Sequence, residues 1–335
     1  MRSIRTLSAL MVTLFALPLL AEANEQLIAG AKKEGQVLWY TTNSPKDNQK
    51  LLNGFMKKYP FIKAQAYRAA GPQIASRFRA EERAGKHLAD VVRVVNFDLE
   101  IFKQKNLLAR YVSPSTKRYT PSMKDPEGYW ATDSYTFKLL AYNKSMVSDN
   151  EAPKSWFDLV DPKWRGKMVF ELVDFRLYAG WEQRLGKEKA GKLMQGLAKQ
   201  KLIFRKGARQ IAQLLAAGEY PMAIAYVHHV ESLKAKGAPV EWVKTLDPLV
   251  ALIGAVGISS HAPHPNAARL FVDYYLSREG QQIVRRWGKI PAHPDVDVLF
   301  PSVKPKKLKI YPVDAGLMLK KSQYYKDIAR KVFSQ

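Results

Sequence analysis

The chain contains no cysteine. Disulfides, thiolate metal sites and a cysteine nucleophile are therefore excluded, and so is a lipid anchor that needs an acylated thiol. Long apolar runs are also scarce. The one markedly apolar stretch, Leu7 to Leu20, is shorter than the roughly 17–25 residues that span a bilayer. Nothing comparable recurs, so the mature protein is expected to be soluble. Acidic residues are few: 30 Asp and Glu stand against 54 Lys and Arg, a formal net charge of +24 in 335 residues. Such a field attracts anions and raises their encounter rates; the plainer reading is that excess lysine maintains solubility. The chain also lacks a G-x-S-x-G elbow, an H-E-x-x-H pair and a phosphate-binding glycine loop. It shows no nucleic-acid-binding signature, no internal repeat and no low-complexity tract. An enzyme is not expected, and neither is a resident cofactor.

What is present starts with "MRSIRTLSALMVTLFALPLLAEA". Arg2 and Arg5 precede the apolar run, and Ala21-Glu22-Ala23 supplies a small-x-small triplet, so residues 1–23 read as a secretory signal peptide cut before Asn24. An exported chain without disulfides or an anchor is expected in a Gram-negative periplasm. Cleavage leaves about 310 residues, enough for two domains of about 100–200 residues each.

Along that chain, helical and strand patterns alternate. "NEQLIAGAKKEG" reads as a helix stopped by Gly35, "QVLWYTT" as a strand, and "NQKLLNGFMKKYP" as an amphipathic helix. "IKAQAYRA" and "ADVVRVV" are strand candidates, separated by the helix "GPQIASRFRAEERAGKH" and followed by "FDLEIFKQKNLL". Such alternation implies βαβ units and an α/β architecture. Ligands of such sheets sit beyond the carboxyl ends of the strands, which selects the loops at Thr41–Ser44, Gly71–Gln73 and Val95–Phe97. "GYWATDSYTFKLLAYNK" reads as a long strand crossing into a second lobe, and "VALIGAVGISS" as the return. Between them "APKSWFDLVDPKWRGKMVF" predicts a Trp-bearing helix and a strand, and "LIFRKGARQIAQLLAAGEYPMAIAYV" a helix and a strand. The helices "HPNAARLFVDYYLS" and "REGQQIVRRWGK" follow the return. The boundaries drawn are 24–134 plus 251–335 for lobe 1 and 135–250 for lobe 2.

Four stretches in order, "APKSWFDLVDPKWRGKMVF", "LLAAGEYPMAIAYV", "AKGAPVEWV" and "APHPNAARLFVDYYLSREGQQIV", resemble the extracellular solute-binding protein family that includes periplasmic ferric-iron, thiamine and sugar-phosphate receptors of ABC importers. The resemblance covers nearly the whole mature chain. It implies an α/β, type II-like periplasmic binding protein fold, with two lobes of mixed, mostly parallel sheet flanked by helices and a ligand cleft between them. It also implies capture of a solute by hinge closure and delivery to an inner-membrane ABC permease. In ferric-binding relatives an adjacent tyrosine pair follows the strand corresponding to "AIAYV"; here His228 and His229 occupy those positions. The relatives' other iron ligands, a histidine and a glutamate, fall near Ser44 and Val95. A ferric ion prefers anionic oxygens, and imidazole suits softer divalent ions, so the ferric site reads as dismantled.

The remaining candidates are weighed against structural roles. His228 and His229 lie at a strand-to-helix junction whose positive dipole end disfavours protonation, so neutral imidazoles are expected. Adjacent helical positions do not share a face, so one ring is expected to reach ligand while the other packs. Arg176, beside Asp174, either clamps a carboxylate, phosphate or sulfonate or forms a surface pair with that aspartate. Arg209 has the same two readings at the next helix start. Ser44 is read chiefly as a helix cap, leaving Thr42 and Asn43 to face ligand, with Gln73 and Asn96 as similar polar candidates. Tyr226 and Tyr135 stack on ligand or line the hinge, whereas Trp39 and Trp130 pack. His261 and His264 have metal-like spacing but precede a helix whose first turn starts at Pro265; they and His293 are not expected to be ligand groups. The expected solute is a small anion or zwitterion bound by a monomer. A metal receptor built on His228, His229 and Asp174 remains the alternative, and a periplasmic hydrolase or lyase a weaker one.

Overall fold

The computed structural model describes residues 24–171 and 175–333. The expected signal peptide and Asp174 lie outside those residues. The chain forms two compact units, each assembled from separated segments: the first from the chain through Val94, Lys105–Ala131 and Val256–Gly280, the second from Val95–Gln104, Thr132–Ala255 and Gln281–Gln335.

In the first unit a helix over 24–34 ends at Gly35, whose φ of 67° is the left-handed conformation that only glycine adopts cheaply. The strand Gln36–Thr41 then pairs in parallel with Lys63–Arg68 on one side, in the register Gln36↔Lys63, and with Val91–Val95 on the other. The helices between these strands start as their sequences dictate. Ser44 caps Pro45–Lys58 by accepting from the Asp47 N–H, and Pro45 takes the first turn, where a missing N–H costs nothing. That helix buries Leu51, Leu52 and Phe55. Phe55 meets Phe271 edge-on at 5.2 Å, and Phe271 and Tyr275 both lie 5.3 Å from the fully buried Trp39. The helix Pro265–Leu276 is thereby fixed on the sheet, each fully buried Phe contributing roughly 1.5–3 kcal/mol. Its N-cap is His264 and its first residue Pro265, as the sequence indicates.

In the second unit the strand Ala131–Asn143, from Thr132 on, pairs antiparallel with Met222–Tyr226 and Val240–Trp242, while Met168–Glu171 pairs in parallel with Met222–Tyr226 and Ile203–Arg205. The helices Phe175–Leu185, Lys187–Ala198, Ala208–Ala216 and Val227–Lys234 accompany these strands. Leu139, Leu140, Ala141, Met168, Val169 and the run from Met222 to Ala225 are all buried, so the sheet is the core of this unit. The architecture is α/β with mixed sheets, as the alternation of patterns indicated.

Three expectations require correction. The Trp-bearing helix is two short 3₁₀ turns, Phe157–Val160 and Pro162–Trp164. Pro162 cannot donate the hydrogen bond that a continuing helix needs, and the Asp161 side chain instead caps the second turn through the Lys163 N–H. A short strand, Ile203–Arg205, precedes the helix Ala208–Ala216. Most consequentially, of the segment assigned to lobe 1 after 251, only Val256–Gly280 belongs to the first unit; Gln281–Gln335 belongs to the second. The cause is side-chain chemistry. Tyr325 is buried against Tyr178 at 5.7 Å, while the Tyr324 hydroxyl and Lys321 Nζ reach the buried Glu182 at 2.9 and 3.3 Å. In addition, Ile290 and Pro291 pair with Tyr135 and Ser134.

Candidate functional site

The sequence-derived candidates separate into those that the first unit uses for its own construction and those that gather at one strand end of the second. In the first unit, Asn43 is buried; its amide donates to the Tyr275 hydroxyl at 3.1 Å, and its carbonyl accepts from Asn48 Nδ2 at 3.3 Å. It therefore holds the loop to the helix Pro265–Leu276, contrary to the expectation that it faces ligand. Ser44 caps, as expected. Gln73 is exposed and turns back to accept from the Ala70 N–H at 3.2 Å, satisfying one of the orphan donors at its own helix start. Thr42 is half-buried and accepts from Arg93 Nη1 at 2.6 Å. Arg93 is a residue that sequence reasoning missed: a guanidinium in the middle of "VVRVV", buried to 6 % exposure at the strand end beside Thr42. A cation inside an apolar strand was the available signal, because charged groups are rarely buried unless paired.

Asn96, expected beside these groups, falls in the second unit and opens the helix Asn96–Gln104, its side-chain oxygen accepting from the Phe97 N–H at 3.0 Å. Arg176 is the second residue of the helix Phe175–Leu185 and is half-buried.

At the end of the strand Met222–Tyr226 the chain passes directly into the helix Val227–Lys234, with Tyr226 as N-cap and no side-chain cap. The rings of His228 and His229 lie 4.1 Å apart, and Tyr226 stands 5.7 Å from one and 6.2 Å from the other. The two histidines are thus ring neighbours, and both are half-buried. Successive positions stand about 100° apart on a helix, and the two rings nonetheless lie in contact at an interplanar angle of 48°. His228 Nδ1 is 2.9 Å from Thr136 Oγ1, which fixes that ring against the neighbouring strand. His229 titrates far below an ordinary imidazole, at about 4: burial disfavours its cation first, and the positive charges of Arg209 and Lys289 add to the effect. It is neutral at pH 7, for reasons of burial and neighbouring charge. Arg209 itself is exposed, at the second position of the helix Ala208–Ala216.

Beneath this cluster lies another group not anticipated. Lys138, opposite Tyr226 in the antiparallel register, has a side chain only 2 % exposed. Its ammonium sits 5.1 Å from the centre of the Tyr226 ring and 2.9 Å from Glu171 Oε2 at the end of Met168–Glu171. The pairing neutralises a buried cation, and the cation–π contact orients the phenol. Tyr135, half-buried on the same strand as Lys138, has its phenol pushed up to about 12 by burial. It remains a neutral hydrogen-bond donor rather than a phenolate. Trp39 packs in the core, as expected. The second unit therefore presents phenol, neutral imidazole and ammonium within one cluster, with two further cations close enough to act on it.

The profile of the bacterial extracellular solute-binding protein family matches residues 88–316. The chain belongs to that family. Among curated relatives of this family member, a Haemophilus influenzae protein described as uncharacterized is 24 % identical over 220 residues, 62 % of this chain and 63 % of that one. A Serratia marcescens "Fe(3+)-binding periplasmic protein" is 24 % identical over 175 residues, 49 % of this chain and 52 % of that protein. Both alignments span less than two thirds of the relative. Of solved structures, iron-bound HitA from Pseudomonas aeruginosa superposes with a TM-score of 0.79 at 21 % identity, covering 89 % of this chain and 99 % of HitA. AfuA from Actinobacillus pleuropneumoniae, with fructose-6-phosphate bound, gives 0.79 at 22 % identity, covering 90 % and 99 %. At these identities the likeness concerns the fold, which is that of the periplasmic binding proteins. No helix among the described residues is long and apolar enough to cross a membrane.

Proposed function

We propose that the protein is a periplasmic receptor that captures a small anionic or zwitterionic solute as a monomer and hands it, unaltered, to an inner-membrane ABC permease. The observation that carries this reading is the strand-end cluster of the second unit, where His229 is held neutral beside Arg209 and Lys289. A neutral imidazole donates one hydrogen bond without cancelling the field of the neighbouring cations, and an anion is the ligand that such a field favours. Arg209 and Arg176 supply guanidinium donors, His228 and His229 directional hydrogen bonds, and Tyr226 an apolar wall. The net charge of +24 steers the solute toward the protein. A phosphate ester is the preferred class, and the relative AfuA, with fructose-6-phosphate bound, supports that choice. Export through a cleaved N-terminal segment is part of the same reading.

A ligand that binds only the folded state raises its melting temperature. Hexose phosphates are expected to do so, and Arg209→Gln and His229→Ala to weaken their calorimetric affinity at least about tenfold, the loss of one charge-assisted bond. Tight stoichiometric uptake of ferric iron by chelator-treated protein, with no response to phosphate esters, would overturn the reading. The same titration tests the second reading, a metal receptor, which the 4.1 Å approach of the His228 and His229 rings favours. Among the described residues, no third His or carboxylate forms a ligand group with that pair.

A further inference from the structure

The first unit contains three potential metal ligands that the reading of the solute site leaves unused. Glu82 lies near the end of the helix Gly71–Arg83, His87 follows the turn at Gly85, and His261 follows the strand Leu249–Ser259. The Glu82 side chain is 2 % exposed, and its Oε2 receives His87 Nδ1 at 2.9 Å and His261 Nδ1 at 3.0 Å. The two imidazoles stack, with centroids 4.2 Å apart and planes at 27°, so both direct Nδ1 to one oxygen. The other carboxylate oxygen accepts from Ser259 Oγ at 3.2 Å, which orients Glu82 from behind. The three donor atoms all lie within 4.8 Å of one another.

We propose that Glu82, His87 and His261 form a binding site for a borderline-soft divalent transition metal ion, with zinc as its representative. Two imidazoles and one carboxylate suit Zn²⁺, Co²⁺, Ni²⁺ and Cu²⁺, whereas Ca²⁺ and Mg²⁺ take oxygen ligands and ferric iron prefers anionic oxygens. With metal–ligand bonds of about 2.0–2.2 Å, tetrahedral ligands stand about 3.3 Å apart. The donors at 2.9 and 3.0 Å therefore need to separate by only a few tenths of an ångström. The rings can do so, because the His87 and His261 side chains are 33 % and 55 % exposed while Glu82 stays anchored. Without metal, each Nδ1 donates its proton to the carboxylate; on binding, each ring carries that proton on Nε2 and presents the Nδ1 lone pair to the ion. Three protein ligands leave at least one position open to water. Ser259 serves as the outer partner that holds the carboxylate in place. Sequence spacing hid this set, since His261 stands far from the other two along the chain.

The test uses untagged, chelator-treated full-length protein titrated with Zn²⁺ at neutral pH by calorimetry. One Zn²⁺ per chain is expected. Affinity should fall at least about tenfold in His87→Ala and in His261→Ala, a ligand counting for no less than an outer partner. It should be unchanged in His264→Ala and in the His228→Ala/His229→Ala double variant. Affinity is also expected to fall in acid, because protons compete with the metal for its ligand atoms. A readout on the wild-type chain covers variants that fail to fold: stoichiometric Zn²⁺ should move the imidazole NMR signals of His87 and His261 and leave those of His228 and His229 in place. Absence of Zn²⁺ binding by folded wild-type protein, the reverse NMR pattern, or full affinity in both single variants would overturn the proposal.

Discussion

His229 provides the most direct physical test of the strand-end cluster. Its pKa of about 4, against a reference of 6.5, corresponds to about 3 kcal/mol of free energy opposing protonation in the folded chain. Burial supplies the largest part, and Arg209 and Lys289 the remainder. Arg209 is exposed, so its effect is that of a screened surface charge, worth about 0.2–1 kcal/mol. Replacing it in Arg209→Gln should therefore raise the His229 pKa by about 0.2–0.7 unit, and the burial contribution should persist. The measurement is a two-dimensional NMR titration of the imidazole carbons between pH 3 and 8. The sign for stability follows from the direction of the shift. The folded pKa lies below the unfolded value, so the contribution of this residue to stability is complete above pH 6.5 and is lost as pH falls toward 4. A wild-type His229 titrating at 6 or above, or a downward shift in Arg209→Gln, would refute the assignment of a buried imidazole facing cations.

Further outcomes follow from the other buried contacts. Lys138→Met strands Glu171, and because Glu171 is 26 % exposed the cost should lie near the lower end for a broken buried pair, about 3 kcal/mol by urea denaturation; Glu171→Gln on that background should recover part of it. Tyr275→Phe removes the hydroxyl to which the buried Asn43 amide donates and should cost about 0.5–1.5 kcal/mol of global stability in the same assay. Ser44→Ala removes a helix cap and should cost about 1 kcal/mol, whereas Ser44→Gly should cost only a few tenths.

Much of the fold was legible because helices and strands carry their own periodicity. Gly35, Ser44–Pro45 and His264–Pro265 punctuate the chain where their backbone chemistry requires. What remained hidden depends on partners distant in sequence. Asn43 read as a ligand group because nothing in its loop reveals Tyr275, and the C-terminal helix was assigned to the wrong unit because its anchor is Glu182, a buried carboxylate reached by three side chains from that segment. The exception is instructive. Lys138 and Arg93 are cations within apolar strands, and each stands beside a candidate that was recognised, Tyr226 and Thr42. A charge out of place in a strand pattern, though it was not used, would have been a better guide than the spacing of His261 and His264. The two histidines proved to serve different carboxylates, Glu82 and Asp90.

The interleaving of chain segments has a practical corollary. Each unit is stitched from three pieces of the polypeptide, and the strands Ala131–Asn143 and Leu249–Ser259 each begin in one unit and end in the other. No single cut in the gene releases a self-sufficient half. A fragment ending after Asn143 would lack the helix that covers Trp39, and one beginning there would leave Met222–Tyr226 without its antiparallel neighbour. Ribosomal synthesis therefore cannot complete the first unit until its last segment, ending at Gly280, has emerged, and at that point the second unit still lacks Gln281–Gln335.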